Sequence, residues 1–188
     1  MSKKVELATG IITPVLTPRN RGGHVDEEAA RGHMRQLLEA GIHGLFTAGT
    51  AGEYFALTLP DRRRITEIAL EVSSDTVPVY MGVTGDDTRS SIEQARMAQE
   101  IGADAITLMA PSGSKFSPDE LYEHFRSIAE AVSIPVVIYD NPGRTGVKIP
   151  FNTIESLSRI ENIVGIKDST GDNSLTCEYV RVLNQSFS

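Results

Sequence analysis

The chain has 188 residues, 40% hydrophobic and 23% charged, with 18 Lys+Arg against 25 Asp+Glu and a net charge of -7. That balance excludes a disordered, collagen-like or disulfide-stapled class and argues against a phosphate-binding basic surface, so nucleic acid is not an expected partner. Cys177 stands alone, no apolar run approaches the roughly 20 residues that span a bilayer, and a cytoplasmic protein with no membrane partner is expected.

Residues 1–10 carry Lys3 and Lys4 with no apolar segment after them, so they do not read as a secretory leader. The first apolar run, 11–16, predicts a strand, and the turn after it (17–23) contains no GxGxxG. Residues 26–40 then place Ala30, Met34, Leu37 and Leu38 on one stripe of a helix, with Gly41 as its stop. Further strands are predicted at 44–48, 78–83, 105–109, 135–139 and 163–166, each rich in Val, Ile or Leu and without polar alternation, as in strands buried on both faces. Ser90 and Glu93 offer a capping box before a helix at 92–101, and Ser117-Pro118-Asp119-Glu120 is a stronger start signal. Residues 39–50 and 100–111 resemble each other, both running from a helix end through a glycine into a strand.

Strand starts lie 27 to 34 residues apart, about one strand plus one crossover helix. Without a glycine-rich turn after the first strand, a closed βα barrel is favoured over an open doubly wound sheet. The expected fold class is α/β, a (β/α)8 TIM barrel forming a single domain over 1–188. Six strands are found and eight are needed, so the chain reads as truncated after about six repeats, with the C-terminal repeats missing beyond 184–188.

In such an array the C-terminal strand ends and their loops carry the chemistry. Those ends supply Gly49-Thr50-Ala51-Gly52-Glu53, Gly82 to Gly85, Ala110 to Ser114, Tyr139 to Gly146 and Gly165 to Thr170. Lys167 closes the run 163–166, where burial on both sheet faces is expected to favour the amine, a nucleophile toward carbonyls. The bland alternatives are a lysine reaching out of the barrel mouth or pairing with Asp168. Tyr139, at the preceding strand end, is either a proton relay or a core aromatic. Arg144 is either a carboxylate clamp or a surface arginine. Gly49, Thr50 and Ala51 offer a small anion nest. Glu53 is expected as an interior carboxylate holding that loop rather than a base. Asp168 and Asp172 lack a convergent His, so no metal is expected.

At these residues the chain resembles the dihydrodipicolinate synthase / N-acetylneuraminate lyase family, through GTAGE at 49–53, LTLPDRRR at 57–64, YDNPGRTG at 139–146 and GIKDSTGD at 165–172. The resemblance implies an eight-stranded barrel, homotetrameric at full length, that holds pyruvate as a Schiff base without metal or other cofactor. It implies Lys167 as the Schiff-base lysine, Tyr139 as the proton shuttle, Thr50 at the pyruvate carboxylate within the Gly49–Ala51 loop, and Arg144 as the clamp on a second carboxylate.

The chain also departs from the synthase pattern. Ala51 stands where synthases commonly carry a second threonine of a hydroxyl relay, and Ser112 and Gly113 stand where they carry a tyrosine pair. The favoured expectation is therefore a lyase or aldolase that joins or cleaves a 2-oxo acid, such as a 2-keto-3-deoxy sugar acid, into pyruvate and an aldehyde. Arg144 favours the alternative, condensation of pyruvate with aspartate semialdehyde. A non-catalytic barrel fragment or binding protein is the third reading, and residues 1–188 alone are expected to be inactive.

Overall fold

The computed structural model describes residues 9–113 and 115–183. Lys3, Lys4, Ser114 and the chain end at 184–188 therefore lie outside the described residues. Six strands alternate with helices: β1 Ile12–Pro14, β2 Gly44–Thr47, β3 Val79–Gly82, β4 Ala105–Leu108, β5 Val136–Asp140 and β6 Ile163–Asp168. The helices are α1 Glu27–Glu39, α2 Leu59–Ser73, α3 Thr88–Glu100, α4 Pro118–Glu130, α5 Pro142–Thr145, α6 Phe151–Leu157 and α7 Asn173–Leu183. The strands follow one another in chain order in one sheet, and the pairs β1–β2, β2–β3 and β5–β6 run parallel. Each predicted strand agrees with the observed one to within two residues at either end.

The chain divides into two compact units, residues 1–82 with 97–106, and 83–96 with 107–188. In the first, Val15, Leu45 and Val79 from the strand region meet Ala30 and Met34 of α1 and Ile65, Ile68 and Ala69 of α2, and Leu37 and Leu38 pack at the margin of that core. α1 forms where its pattern demands. Asp26 caps it by accepting from the Ala29 N–H, and Gly41, at φ +80°, lets the chain leave. α2 begins with Thr58 accepting from the Asp61 N–H, and Pro60 lies in its first turn, where no N–H is missed.

In the second unit, α4 buries Leu121, His124, Phe125, Ile128 and Ala129 at helical spacing. Its capping box is complete, with Ser117 accepting from the Glu120 N–H and the Glu120 carboxylate accepting from the Ser117 N–H. The box expected on Ser90 and Glu93 is displaced. Asp87 accepts from the Ser90 N–H at 2.7 Å, and the Ser90 hydroxyl accepts from the Asp87 N–H at 3.2 Å. The helix therefore starts at Thr88, before Ser90 can act as a cap, because a carboxylate three residues earlier already satisfies its orphan donors.

β6 departs from the expected burial. Only Ile163 is buried, and Val164 through Asp168 are half-buried. β6 is the terminal strand of the sheet order, with β5 as its neighbour, so apolar side chains there are covered less than in β2, β3 or β4.

Candidate functional site

In the first unit, the chain leaves β2 through a left-handed residue that is not glycine, Ala48, at φ +48°. The loop ends on a second one, Glu53, at φ +55°. Non-glycine residues in this region cost about 1–2 kcal/mol each, and such strain collects where a loop's geometry is functionally constrained. Gly49 is buried against the Phe46 ring, and the Gly52 carbonyl accepts from the Thr17 hydroxyl at 2.9 Å. The Glu53 and Tyr54 N–H groups turn inward to the carbonyls of Thr50 and Gly49. Ala51 is exposed.

The turn carries the Thr50 hydroxyl oxygen, which is buried and has no hydrogen-bond partner among the described residues. A buried hydroxyl without a partner costs free energy. Glu53 does not fill its expected part. It is exposed and makes no side-chain cap, and its contribution is the left-handed backbone. Arg62 of α2 anchors the far side of the loop instead, donating to the Tyr54 carbonyl at 2.8 Å with its guanidinium 5.4 Å from the Tyr54 ring centroid.

In the second unit, Tyr139 and Lys167 are directly paired in the β5–β6 register. The Lys167 Nζ lies 3.8 Å from the centroid of the Tyr139 ring, within cation–π distance. Tyr139 is buried and Lys167 half-buried. The burial expected on both faces of Lys167 is thus only partial, for the reason given for β6. The Asn141 amide donates to the Tyr139 hydroxyl at 2.8 Å. Period-two alternation puts Asn141 on the same side of the strand as Tyr139, a signal that could have identified it from the sequence.

On the opposite face, Asp140 pairs in register with Asp168. Asp140 is fully buried. Burial pushes its pKa up to about 6, the Ile149 N–H works against that rise, and the charge of Asp168 adds to it. Its Oδ2 has no hydrogen-bond partner among the described residues. Asp168 goes the other way: burial pushes it up, but hydrogen bonds from Thr176 and Thr170 outweigh that and hold it below the usual range. Asp172 accepts from the Lys148 Nζ at 3.0 Å. Arg144 is exposed in the last turn of α5, which Gly146 ends at φ +72°. Ser112 and Gly113 are exposed after β4. Among the described residues no three His, Cys, Asp or Glu gather as metal ligands, and no helix is long and apolar enough to cross a membrane.

Residues 7–188 match the model of the dihydrodipicolinate synthetase family. The 4-hydroxy-tetrahydrodipicolinate synthase of Oceanobacillus iheyensis is 36% identical over 178 residues, which cover 95% of this chain and 60% of that protein. The Brucella abortus synthase is 37% identical over 179 residues, 95% of this chain and 61% of its own length. Among solved structures, a Bacillus anthracis dihydrodipicolinate synthase superposes with a TM-score of 0.92 at 33% identity, covering 97% of this chain and 63% of that one. The Acinetobacter baumannii synthase, crystallised in complex with pyruvate, gives a TM-score of 0.92 at 34% identity, covering 95% and 62%. The chain thus spans about 60% of the length of these curated relatives. Its fold is of the α/β, TIM-barrel class, with six of the strands present.

Proposed function

The chain belongs to the dihydrodipicolinate synthetase family, and from that premise we propose that it carries the reactive amine of a pyruvate-dependent, Schiff-base-forming lyase or aldolase. The observation that carries this reading is the Tyr139–Lys167 register pair, with Nζ 3.8 Å from the ring centroid. An amine and a phenol held side by side at two strand ends suit imine chemistry, where each step needs a nitrogen nucleophile and a proton carrier.

In the proposed sequence, the Lys167 amine adds to C2 of pyruvate, and loss of water from the carbinolamine leaves an iminium. Tyr139 passes the protons. A proton leaves the pyruvate methyl, and its electron pair flows toward the iminium nitrogen as the enamine forms. In the cleavage direction the breaking C–C bond feeds electrons into the same sink and releases the aldehyde. Tyr139 then returns a proton to the enamine carbon, which becomes the pyruvate methyl and restores the iminium, and addition of water to that iminium releases pyruvate and the lysine amine, with no metal or other cofactor called for. The Thr50 hydroxyl and the Gly49–Ala51 backbone bind the pyruvate carboxylate, and Arg144 receives the second reactant's acidic group.

For the reaction, we favour cleavage or formation of a 2-oxo sugar acid, since Ala51, Ser112 and Gly113 lack the relay groups of the synthase pattern. A second reading, condensation of pyruvate with aspartate semialdehyde, is supported by Arg144 and by the synthase relatives. Turnover of both substrate pairs by the full-length enzyme decides between them. The whole protein is proposed to be a cytoplasmic homotetramer with one barrel domain per subunit. Residues 1–188 alone are proposed to have no turnover.

The test of the shared chemistry is borohydride reduction in the presence of pyruvate, followed by peptide mass mapping of the full-length protein. A pyruvate adduct on Lys167 is expected. Its absence would overturn the imine reading in favour of a binding protein of the same fold.

A further inference from the structure

Asn141 occupies the N-cap of α5 with an extended backbone, φ −139° and ψ 74°. An asparagine there ordinarily turns its side-chain oxygen onto an N–H of the first turn. This one makes no such bond. The turn is held without it, since the Asn141 carbonyl accepts from the N–H groups of Arg144 at 2.9 Å and Thr145 at 3.1 Å. The Thr145 hydroxyl also donates to the carbonyls of Asn141 and Val147. The amide is thereby released from capping and aimed back along the strand, where its N–H donates to the Tyr139 hydroxyl at 2.8 Å.

From this geometry we infer that Asn141 is a positioning residue for the Tyr139 proton relay. The inference rests on the proposed role of Tyr139. An N–H on one lone pair of the phenol oxygen directs the hydroxyl hydrogen away from Asn141 and toward other acceptors. When that proton leaves, the same N–H stabilises the charge left on oxygen, because a hydrogen bond to the charged form favours it. The Tyr139 ring is 5% exposed, so little water is available to do that work. The Lys167 Nζ lies over the face of the same ring.

The test compares N141A, N141D and N141Q in the full-length protein by alkaline tyrosinate absorbance, with a Y139F titration subtracted to isolate Tyr139. In N141A the Tyr139 midpoint is expected to rise by about one pH unit and kcat to fall about tenfold, the scale of one hydrogen bond to a charged group. KM for pyruvate is expected to stay within about twofold, since substrate contacts are untouched. N141D is expected to move the midpoint upward as well, because a carboxylate can only accept. N141Q, which keeps the amide, is expected to restore part of the loss. An unmoved midpoint in N141A, or a downward shift in N141D, would overturn the inference. Pyruvate trapping on wild-type Lys167 separates the two levels. Trapping with an unmoved midpoint removes only the role of Asn141, whereas a moved midpoint without trapping supports the Asn141 contact and removes the catalytic reading.

Discussion

The carbonyl oxygen of Ala48 sits against the bare α-carbon of Gly82, so close that a β-carbon on residue 82 would overlap it. Ala48 is also the left-handed residue through which the chain leaves β2 toward Thr50. The two facts are one arrangement. β3 must lack a side chain where the strained turn presses its carbonyl onto the sheet, and glycine is the only residue that permits this.

Gly82→Ala is therefore expected to destabilise the protein by about 1–3 kcal/mol, the usual cost of an overpacked site. The added methyl meets backbone, which cannot swing aside as a flexible side chain would. Ala48→Gly has the opposite sign. It removes a left-handed penalty of about 1–2 kcal/mol and gives back roughly 0.5–1 kcal/mol in unfolded-state entropy. Denaturant melts of both variants check the pair, and a G82A protein as stable as wild type would contradict the contact.

A second expectation concerns Asp140. Its folded pKa, pushed up to about 6 by burial, lies above the ordinary 3.8. The folded state therefore binds more protons than the unfolded chain between those two values, and stability falls as pH rises through that window. The groups acting on it are the Ile149 N–H, Asp168 and Lys148, and Tyr179, whose own ionisation is pushed up by burial and then by Asp140 and Asp168, senses the same cluster. Asp140→Asn removes the titration. The stability difference between variant and wild type should be small near pH 4 and grow to roughly 2–3 kcal/mol in the variant's favour at pH 7, following 1.36 kcal/mol per pH unit. Parallel stability–pH curves for the two proteins would refute the assignment.

Much of this architecture was legible because each repeat carries its own punctuation. Gly41 and Gly102, matched in the two similar segments, are both left-handed helix exits. Two residues on, His43 and Asp104 do the same job, accepting from the Ile11 and Val79 N–H groups at the start of the preceding strand. Local signals of that kind need no knowledge of the partner strand. What the sequence left unread depended on such partners. The cover on Lys167 depends on how many strands flank β6. The exposure of Glu53 follows from a strained backbone that no residue pattern announces. Thr50, Tyr139, Arg144 and Lys167 stand out by residue type and strand-end position, whereas an asparagine before Pro-Gly reads first as a turn residue.

The ion-pair network of the first unit yields a third expectation. Arg64 donates to Glu27 of α1 at 2.8 and 2.6 Å and to Glu67 and Glu71 of its own helix at 3.1 Å, and Arg31 of α1 donates to Glu71. Arginine with several fixed acceptors holds two helices in register better than an isolated surface pair does. Glu27 and Glu71 are held below the usual carboxylate range chiefly by their bonds to Arg64 and Arg31 respectively. Arg64→Ala should lower the melting temperature, and the gap from wild type should narrow at high salt, since partly exposed charges are screened. A gap that is independent of salt would mean that lost packing of the arginine stem, and not the network, accounts for the loss.

Arg144 gives the expectation that separates the two proposed reactions. It lies on a four-residue helix whose backbone is fixed by Asn141, Pro142 and Gly146, so removing its guanidinium should leave the loop intact. Arg144→Ala should leave pyruvate trapping on Lys167 unchanged, because the imine forms before a second reactant arrives. If that reactant carries a carboxylate, its KM should rise about ten- to hundredfold, the scale of a lost bidentate charge-assisted pair. The split is measured by running steady-state kinetics on aspartate semialdehyde and on a neutral aldehyde with both proteins. A loss confined to the acidic aldehyde makes Arg144 its clamp and favours the condensation. Equal losses on both would assign the arginine to the pyruvate side, and no loss on either would leave it a surface residue.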